Sequence, residues 1–183
     1  KIFNDTADKN HVPGGRVVAA FTGGSPDNAT SVKYVDVYAG QIRTNSGVRL
    51  VDSVPALCEQ VDAVLLLSVD GRPHLEQVRP VIAARKPVFI DKPMAGSLRD
   101  VVEIFRLAKT ANVPMFSASS LRFASNTLAA RAGVIGSITN ALTTGPCEIE
   151  PHHPDLFWYG VHGTESLFTV LGPGCETVQR RQT

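Results

Sequence analysis

The sequence lacks the features that mark membrane-spanning and nucleic-acid-binding proteins. Its longest apolar stretches, such as residues 61–67, are far too short to cross a bilayer. The 18 basic and 17 acidic side chains nearly balance, and no basic run appears, which argues against nucleic acid as a partner. A chain of 183 residues can bury a sizeable core. These properties predict a soluble globular protein whose partner is a small molecule rather than a membrane or a nucleic acid.

Cysteine is scarce, and its pattern excludes a disulfide scaffold. The three cysteines, Cys58, Cys147 and Cys175, are widely spaced and odd in number, with no Cys-x-x-Cys pair. Reduced thiols are typical of a reducing compartment, so the sequence favours a cytoplasmic location. The chain begins with Lys1 rather than methionine. An exported form whose leader is missing therefore stays open as the alternative.

The glycine pattern of a dinucleotide-binding loop, Gly-x-Gly-x-x-Gly between a strand and a helix, is also missing. Gly14 and Gly15 precede a predicted strand, whereas Gly23 and Gly24 follow one without the third glycine. The sequence by itself therefore leaves cofactor binding as an expectation that rests on other residues.

Strands and helices nevertheless alternate four times along the first two thirds of the chain. Apolar runs predict strands over residues 16–21, 48–51, 63–68, 88–91 and 113–117, with helical spacing between them. Such alternation predicts the α/β class with a Rossmann-type, doubly wound parallel sheet. The first strand of a Rossmann sheet lies at its centre, next to the second and the fourth strands. If residues 16–21 form the second strand, the printed chain lacks the first, and we expect it to be part of a longer polypeptide.

The pattern changes after Leu121. Helices are predicted over residues 126–132 and 162–171, strands over 137–144 and 176–181, and an irregular segment over 148–154. These few strands cannot make a stable open sheet. We therefore predict a Rossmann-type domain over residues 1–121, incomplete at its start, and the beginning of an α+β substrate domain over 122–183.

Polar residues follow three of the predicted strands, at the sheet edge where α/β proteins bind ligands. The residues that we expect to bind a cofactor there are Thr22, Ser25, Ser68, Asp70, His74, Asp91 and Lys92. A simpler interpretation of His74 is that it caps the helix that it begins. Residues 22–25 are small and uncharged where an acid would bind the adenosine ribose, which slightly favours NADP over NAD, although a plain turn explains them equally well.

Five short motifs, taken together and in order, resemble the glucose-fructose oxidoreductase and inositol dehydrogenase family (Gfo/Idh/MocA). Residues 88–93 end in Asp91-Lys92-Pro93, similar to that family's Glu-Lys-Pro strand end. The other matching segments are the strand and turn leading to His74, Leu121-Arg122-Phe123, Gly133-Val134-Ile135-Gly136, and the segment from Tyr159 to Gly172. The resemblance covers the chain from about residue 16 to its end.

The resemblance implies an NAD(P)-dependent oxidoreductase that transfers a hydride between the cofactor and a hydroxyl group of a sugar, cyclitol or related molecule. Lys92 would correspond to the family's catalytic lysine and His162 to its active-site histidine. A base is needed because the hydroxyl loses its proton as the hydride leaves the carbon. Glu165 lies one helical turn after His162 and is expected to orient its ring, with Tyr159 as a further catalytic candidate.

One departure from the family pattern supports an alternative function. The family usually has an acid four residues before the histidine, and Trp158 stands there. The chain could then be a non-catalytic sensor that binds a nucleotide or a sugar with the same fold. In either case Trp158 is expected to form a wall of the substrate site, together with Arg122 and His153.

The segment from Glu148 to Asp155 is rich in groups that bind metals, but its two histidines are adjacent. They lack the i, i+4 spacing that brings two imidazoles to one metal on a helix, so we expect no metal site. A metal-dependent hydrolase is the third interpretation, and it rests on this segment alone. Enzymes of the family often form homo-oligomers, which the resemblance extends to this chain.

Overall fold

The computed structural model describes residues 2–44 and 47–181. The chain divides into two compact units, one ending at Ser117 and the other beginning at Ala118. This division lies four residues before the predicted domain boundary at Leu121. Among the described residues, no helix is long and apolar enough to cross a membrane.

The first unit contains parallel strands arranged in two ladders. The strands are β1 (Ala19–Phe21), β2 (Arg49–Val51), β3 (Val64–Leu66), β4 (Val88–Ile90) and β5 (Met115–Ser117). β1 pairs with β2, and β4 lies between β3 and β5. In the register of the second ladder, Leu65, Phe89 and Phe116 stand side by side.

This order confirms the predicted Rossmann-type fold. The ladder β2–β1 corresponds to strands three and two of a Rossmann sheet, and β3–β4–β5 corresponds to strands four, five and six. The place between the two ladders is that of the first strand in this fold. Among the described residues, β1 and β3 belong to separate sheets that no strand joins.

Four helices connect these strands: α1 (Ala29–Thr44), α2 (Val54–Cys58), α3 (His74–Ala83) and α4 (Leu98–Ala111). α4 begins where the sequence predicted, because the Ser97 hydroxyl accepts a hydrogen bond from the backbone N–H of Asp100 at 3.1 Å. It ends at Asn112, whose φ of 53° is left-handed, as is usual after a helix. α3 continues through Pro80 without ending.

The core of the first unit lies on the second ladder. Ile90 of β4, Val78 and Val81 of α3, and Ile104 of α4 are completely buried. Each such side chain contributes about 1.5–3 kcal/mol when it leaves water. The buried apolar cluster around them includes β3, β4, α3 and α4, but no residue of β1 or β2. The core therefore fixes the loops that follow β3 and β4.

The second unit is largely irregular. It contains a 3₁₀ turn (Ser120–Phe123), α5 (Ser125–Arg131) and α6 (Val161–Leu171). The strands predicted over residues 137–144 and 176–181 are wrong, because neither segment forms a ladder in the structure. A strand needs a partner for its backbone hydrogen bonds, and the described residues of this unit offer none. Leu142 and Val178 are accordingly 88% and 86% exposed.

Candidate functional site

Lys92 lies at the carboxyl end of β4, as the sequence predicted. The backbone N–H of Asp91 donates to the carbonyl oxygen of Leu66 at 2.9 Å, which continues the β3–β4 ladder to the residue before the lysine. Lys92 is half-buried, and the peptide bond between it and Pro93 is cis. The lysine therefore emerges from the sheet edge where open α/β folds place ligands.

His74 joins the loops that follow β3 and β4. Its imidazole is completely buried, with Nε2 2.8 Å from the carbonyl oxygen of Ser68 and Nδ1 3.2 Å from that of Met94. Burial lowers the pKa of His74, against the opposing effect of the two carbonyl groups and of nearby carboxylates. It makes no side-chain cap for α3, and it has no exposed surface for a cofactor. His74 therefore supports the two loops, and its contact with a cofactor stays a prediction.

Arg72 connects the loop after β3 to the loop after β1. Its Nη2 lies 2.6 Å from Oδ2 of Asp70, and its Nη1 lies 2.8 Å from Oδ2 of Asp27. Asp70 is completely buried. Burial alone would raise the pKa of Asp70, but hydrogen bonds from Arg72 and Ser25 outweigh it and lower that pKa to about 2. Asp70 and Ser25, both expected to contact a cofactor, are buried and support the two loops from within, and their contact with a cofactor stays a prediction.

Two glycines allow these loops to pack closely. A Cβ atom on Gly71 would lie 2.7 Å from the carbonyl oxygen of Pro93. A Cβ on Gly23 would lie 2.6 Å from Nε2 of Gln77, whose Oε1 accepts a hydrogen bond from the Ser68 hydroxyl at 2.8 Å. Gly71 and Gly23 thus each lie where a side chain would meet a neighbouring group at this edge of the sheet. Of the remaining predicted residues, Thr22 is exposed and Ser68 and Asp91 are half-buried.

In the second unit, His162 on α6 is held by Ser119. The Ser119 hydroxyl lies 2.6 Å from Nδ1 of the imidazole. Glu165 does not contact that ring through a hydrogen bond in this network. Its Oε2 accepts the backbone N–H of Ser119 at 2.6 Å, and its Oε1 accepts a hydrogen bond from Nε of Arg122. The predicted orienting residue Glu165 is thus replaced by Ser119, and Arg122, expected to bind substrate, forms an ion pair with Glu165.

Tyr159, which lies just before α6, packs against His162 of that helix. The two ring centroids lie 4.8 Å apart in an edge-to-face arrangement. Such a contact limits the rotation of the imidazole. The structure thus brings Tyr159 and His162 together, whereas a catalytic role for Tyr159 stays a prediction.

Trp158 and His153 face each other inside the second unit. Trp158 is 6% exposed, and its ring centroid lies 4.9 Å from that of His153. Nδ1 of His153 lies 2.7 Å from Oε2 of Glu150, and Nδ1 of His152 lies 2.6 Å from Oε1. Burial would raise the pKa of Glu150, but these two histidines outweigh it and lower the pKa. Both predicted substrate residues are therefore buried, and their contact with a substrate stays a prediction.

The histidine-rich segment has a structural explanation without a metal. Glu150 accepts hydrogen bonds from both adjacent histidines, and these bonds hold the turn that contains the three residues. Across residues 2–44 and 47–181, no group of three or more His, Cys, Asp and Glu side chains is arranged to hold a metal ion.

Comparison with known proteins identifies the family. Residues 10–119 match the sequence model of the Gfo/Idh/MocA oxidoreductase family, which has an NAD-binding Rossmann fold. The chain belongs to this family. The matched residues include the whole edge from Thr22 to Lys92, and they end before His162. The resemblance of the sequence motifs to this family is thus confirmed.

Two solved structures show the same fold. A structure from Magnetospirillum magnetotacticum MS-1 shares 18% identity with a TM-score of 0.62, over 89% of this chain and 59% of that one. An oxidoreductase from Thermotoga maritima shares 19% identity with a TM-score of 0.57, over 76% of this chain and 48% of its own. A dehydrogenase from Chromobacterium violaceum shares 25% identity with a TM-score of 0.47, over 64% and 32%. The chain thus spans less than two thirds of each structure. No curated protein matches it.

Proposed function

We propose that this protein is an NAD(P)-dependent oxidoreductase that transfers a hydride between a nicotinamide cofactor and a hydroxyl-bearing carbon of a sugar, a cyclitol or a related molecule. The observation that supports this most is the position of Lys92. It follows β4 at the carboxyl edge of the sheet, within the residues that match the NAD-binding family. Open α/β sheets bind ligands at this edge.

The groups at this edge suit a dinucleotide in their chemistry. Thr22 after β1 and Ser68 after β3 carry hydroxyls, and Lys92 after β4 carries an ammonium group. Hydroxyl and ammonium groups bind ribose oxygens and pyrophosphate by hydrogen bonds. These residues and Asp91 would hold the cofactor. When bound, its nicotinamide accepts the hydride that the substrate carbon releases.

The role proposed for Lys92 follows from the proton balance of this oxidation. The C–H bond breaks with its electron pair, the O–H bond gives up a proton, and a C=O bond forms. Nζ of Lys92 takes that proton, and in the reverse direction it returns the proton to the oxygen. His162 is proposed as a second residue that acts in this reaction.

An activity screen tests this proposal. Sugars and cyclitols are offered with NAD and with NADP while the reduced cofactor is followed by absorbance, and cofactor binding is measured by calorimetry. Lys92→Ala is expected to reduce kcat by about 10²- to 10⁴-fold with folding intact. Lys109→Ala, an exposed lysine in the last turn of α4, is the matched control. Absence of both turnover and cofactor binding across a broad panel would exclude the function.

A non-catalytic binding protein of the same fold is the second candidate. The observation that favours it is the burial of Trp158 against His153, at the position where the family usually has an acid. Such a protein would bind a nucleotide or a sugar with measurable heat and show no turnover with any substrate of the panel. In that case Lys92→Ala would change affinity alone.

A further inference from the structure

The hydroxyl of Ser119 has two neighbours that differ in their hydrogen-bonding chemistry. Ser119 has no exposed surface. Its Oγ accepts a hydrogen bond from the backbone N–H of Leu121 at 3.2 Å, and it lies 2.6 Å from Nδ1 of His162. A backbone N–H can only donate, whereas an imidazole nitrogen either donates or accepts. The direction of the Ser119–His162 bond can therefore be worked out from the first neighbour.

The single hydrogen of this hydroxyl requires an acceptor, because a buried donor without one is costly. Leu121 supplies a donor, so it cannot receive that hydrogen. Among the residues that the structure describes, Nδ1 of His162 is the one acceptor bonded to the hydroxyl. Ser119 thus donates to Nδ1, which leaves that nitrogen without a proton. A neutral imidazole carries one proton, and in this ring it resides on Nε2.

The backbone of Ser119 is also held in place, and this holds its hydroxyl. Oε2 of Glu165 accepts the N–H of Ser119 at 2.6 Å, and Oε1 of the same carboxylate binds Arg122 in the 3₁₀ turn. Glu165 and His162 both belong to α6, one turn apart. A single carboxylate therefore anchors Ser119 to the helix that carries the imidazole. This contact fixes the distance between the serine hydroxyl and Nδ1.

We infer that Ser119 is a positioning residue that fixes His162 in the tautomer with its proton on Nε2. In this tautomer Nε2 of His162 is a hydrogen-bond donor and carries no basic lone pair. The inference deepens the proposed function, on which its catalytic meaning rests. In the proposed oxidation His162 would keep its proton and donate a hydrogen bond to the substrate oxygen as negative charge develops there.

Nitrogen NMR reads this tautomer without any turnover. The ring nitrogens of uniformly ¹⁵N-labelled protein are observed near pH 8 through their couplings to the carbon-bound ring protons, and His162→Gln identifies the signals of His162. We expect a pyridine-type shift for Nδ1 and a pyrrole-type shift for Nε2. A pyrrole-type Nδ1 in the unaltered protein would overturn the inference, and this result does not depend on any variant.

Variants then test whether Ser119 is the cause. Ser119→Ala removes the donor, so both nitrogens are expected to move toward averaged shifts as the two tautomers interchange. Ser119→Cys keeps a weak donor and is expected to restore part of the difference. Ser120→Ala, the exposed neighbour in the same turn, is the matched control and is expected to change nothing. An unchanged tautomer in Ser119→Ala would overturn the role of Ser119.

Activity separates the failure of this inference from the failure of the proposed function. With the predicted tautomer and an active enzyme, Ser119→Ala should lower kcat more than tenfold with a smaller effect on KM, because the donor acts on the developing charge. The predicted tautomer in a protein without turnover would exclude the proposed function and leave the tautomer assignment intact. The other tautomer in an active enzyme would exclude the tautomer assignment and leave the proposed function intact.

Discussion

The Asp70 carboxylate is completely buried and lies 2.6 Å from Nη2 of Arg72. The pKa of Asp70 is lowered from 3.8 to about 2 because the bonds from Arg72 and Ser25 outweigh burial. A carboxylate with a lowered pKa stabilises the folded state above its unfolded pKa, and the contribution disappears as the pH falls through the folded pKa. For Asp70 this loss occurs between about pH 5 and pH 2.

Asp70→Asn tests this contribution. The variant is expected to lose about 2 kcal/mol of unfolding free energy at pH 7, and the difference should decrease toward pH 2, where Asp70 becomes protonated in the native protein. Urea unfolding at a series of pH values measures both effects. Asp62→Asn, which alters an exposed carboxylate, is the control and should change stability by less than about 0.5 kcal/mol. A difference that does not depend on pH would contradict this explanation.

Gly71→Ala tests the packing of the loops beside Lys92. The new Cβ would lie 2.7 Å from the carbonyl oxygen of Pro93 and 2.7 Å from the carbonyl carbon of Ala95, and both are backbone atoms. We expect the free energy of unfolding to fall by roughly 1–3 kcal/mol, because the loop after β4 must move to make room for the new Cβ atom. Thermal and urea unfolding measure it.

Gly40→Ala is the matched control for this substitution. Gly40 lies within α1, and a Cβ atom there would meet nothing within 4 Å. Alanine favours a helix by about 0.8–1.0 kcal/mol relative to glycine, so this variant is expected to be more stable. Equal losses in the two variants would show that the close approach at Gly71 has no energetic effect.

We predict that Asp27 determines which of the two cofactors, NAD or NADP, binds more tightly. It lies in the loop after β1, where Rossmann folds bind the adenosine ribose, and it shares Arg72 with Asp70. The carboxylate of Asp27 brings negative charge to this loop, and that charge repels a 2′-phosphate. The uncharged residues 22–25 favoured NADP from the sequence alone. With Asp27 in place we expect NAD to bind more tightly.

Calorimetry with both cofactors measures this preference. Asp27→Asn is expected to shift the ratio of the two dissociation constants toward NADP by about tenfold, since removal of one charge near a phosphate is worth about 1–2 kcal/mol. Asp36→Asn, an exposed carboxylate in α1, is the control. Tighter binding of NADP by the unaltered protein would contradict the role of Asp27 and support the preference inferred from residues 22–25.

The sequence predicted the features whose causes are local. The Ser97 cap of α4 involves a residue three positions away, and the apolar run of β4 ends at Lys92 as expected. Strand and helix alternation required only the periodicity of short segments. These signals predicted the fold class and the position of Lys92 correctly, because each signal spans only a few residues.

The contacts that shape the candidate site connect distant residues. Ser119 and His162 are 43 positions apart, and Asp27 and Arg72 are 45 apart. No local pattern indicates which hydroxyl reaches an imidazole across such a separation. Helical spacing suggested Glu165 as the partner of His162, yet its carboxylate binds Ser119 and Arg122. Alternation over residues 137–144 predicted a strand, but alternation describes one strand and cannot supply the partner that it needs.

The position of the buried core implies unequal resistance to local unfolding. The apolar cluster surrounds β4, while β1 and β2 contribute nothing to it. Amide hydrogens in β4 will then exchange with solvent only when the unit opens as a whole, and those of the β1–β2 ladder will exchange through smaller openings. The loop that carries Asp27 belongs to the less protected part, so the adenosine end of a bound cofactor would rest on the more easily opened region and Lys92 on the stable one.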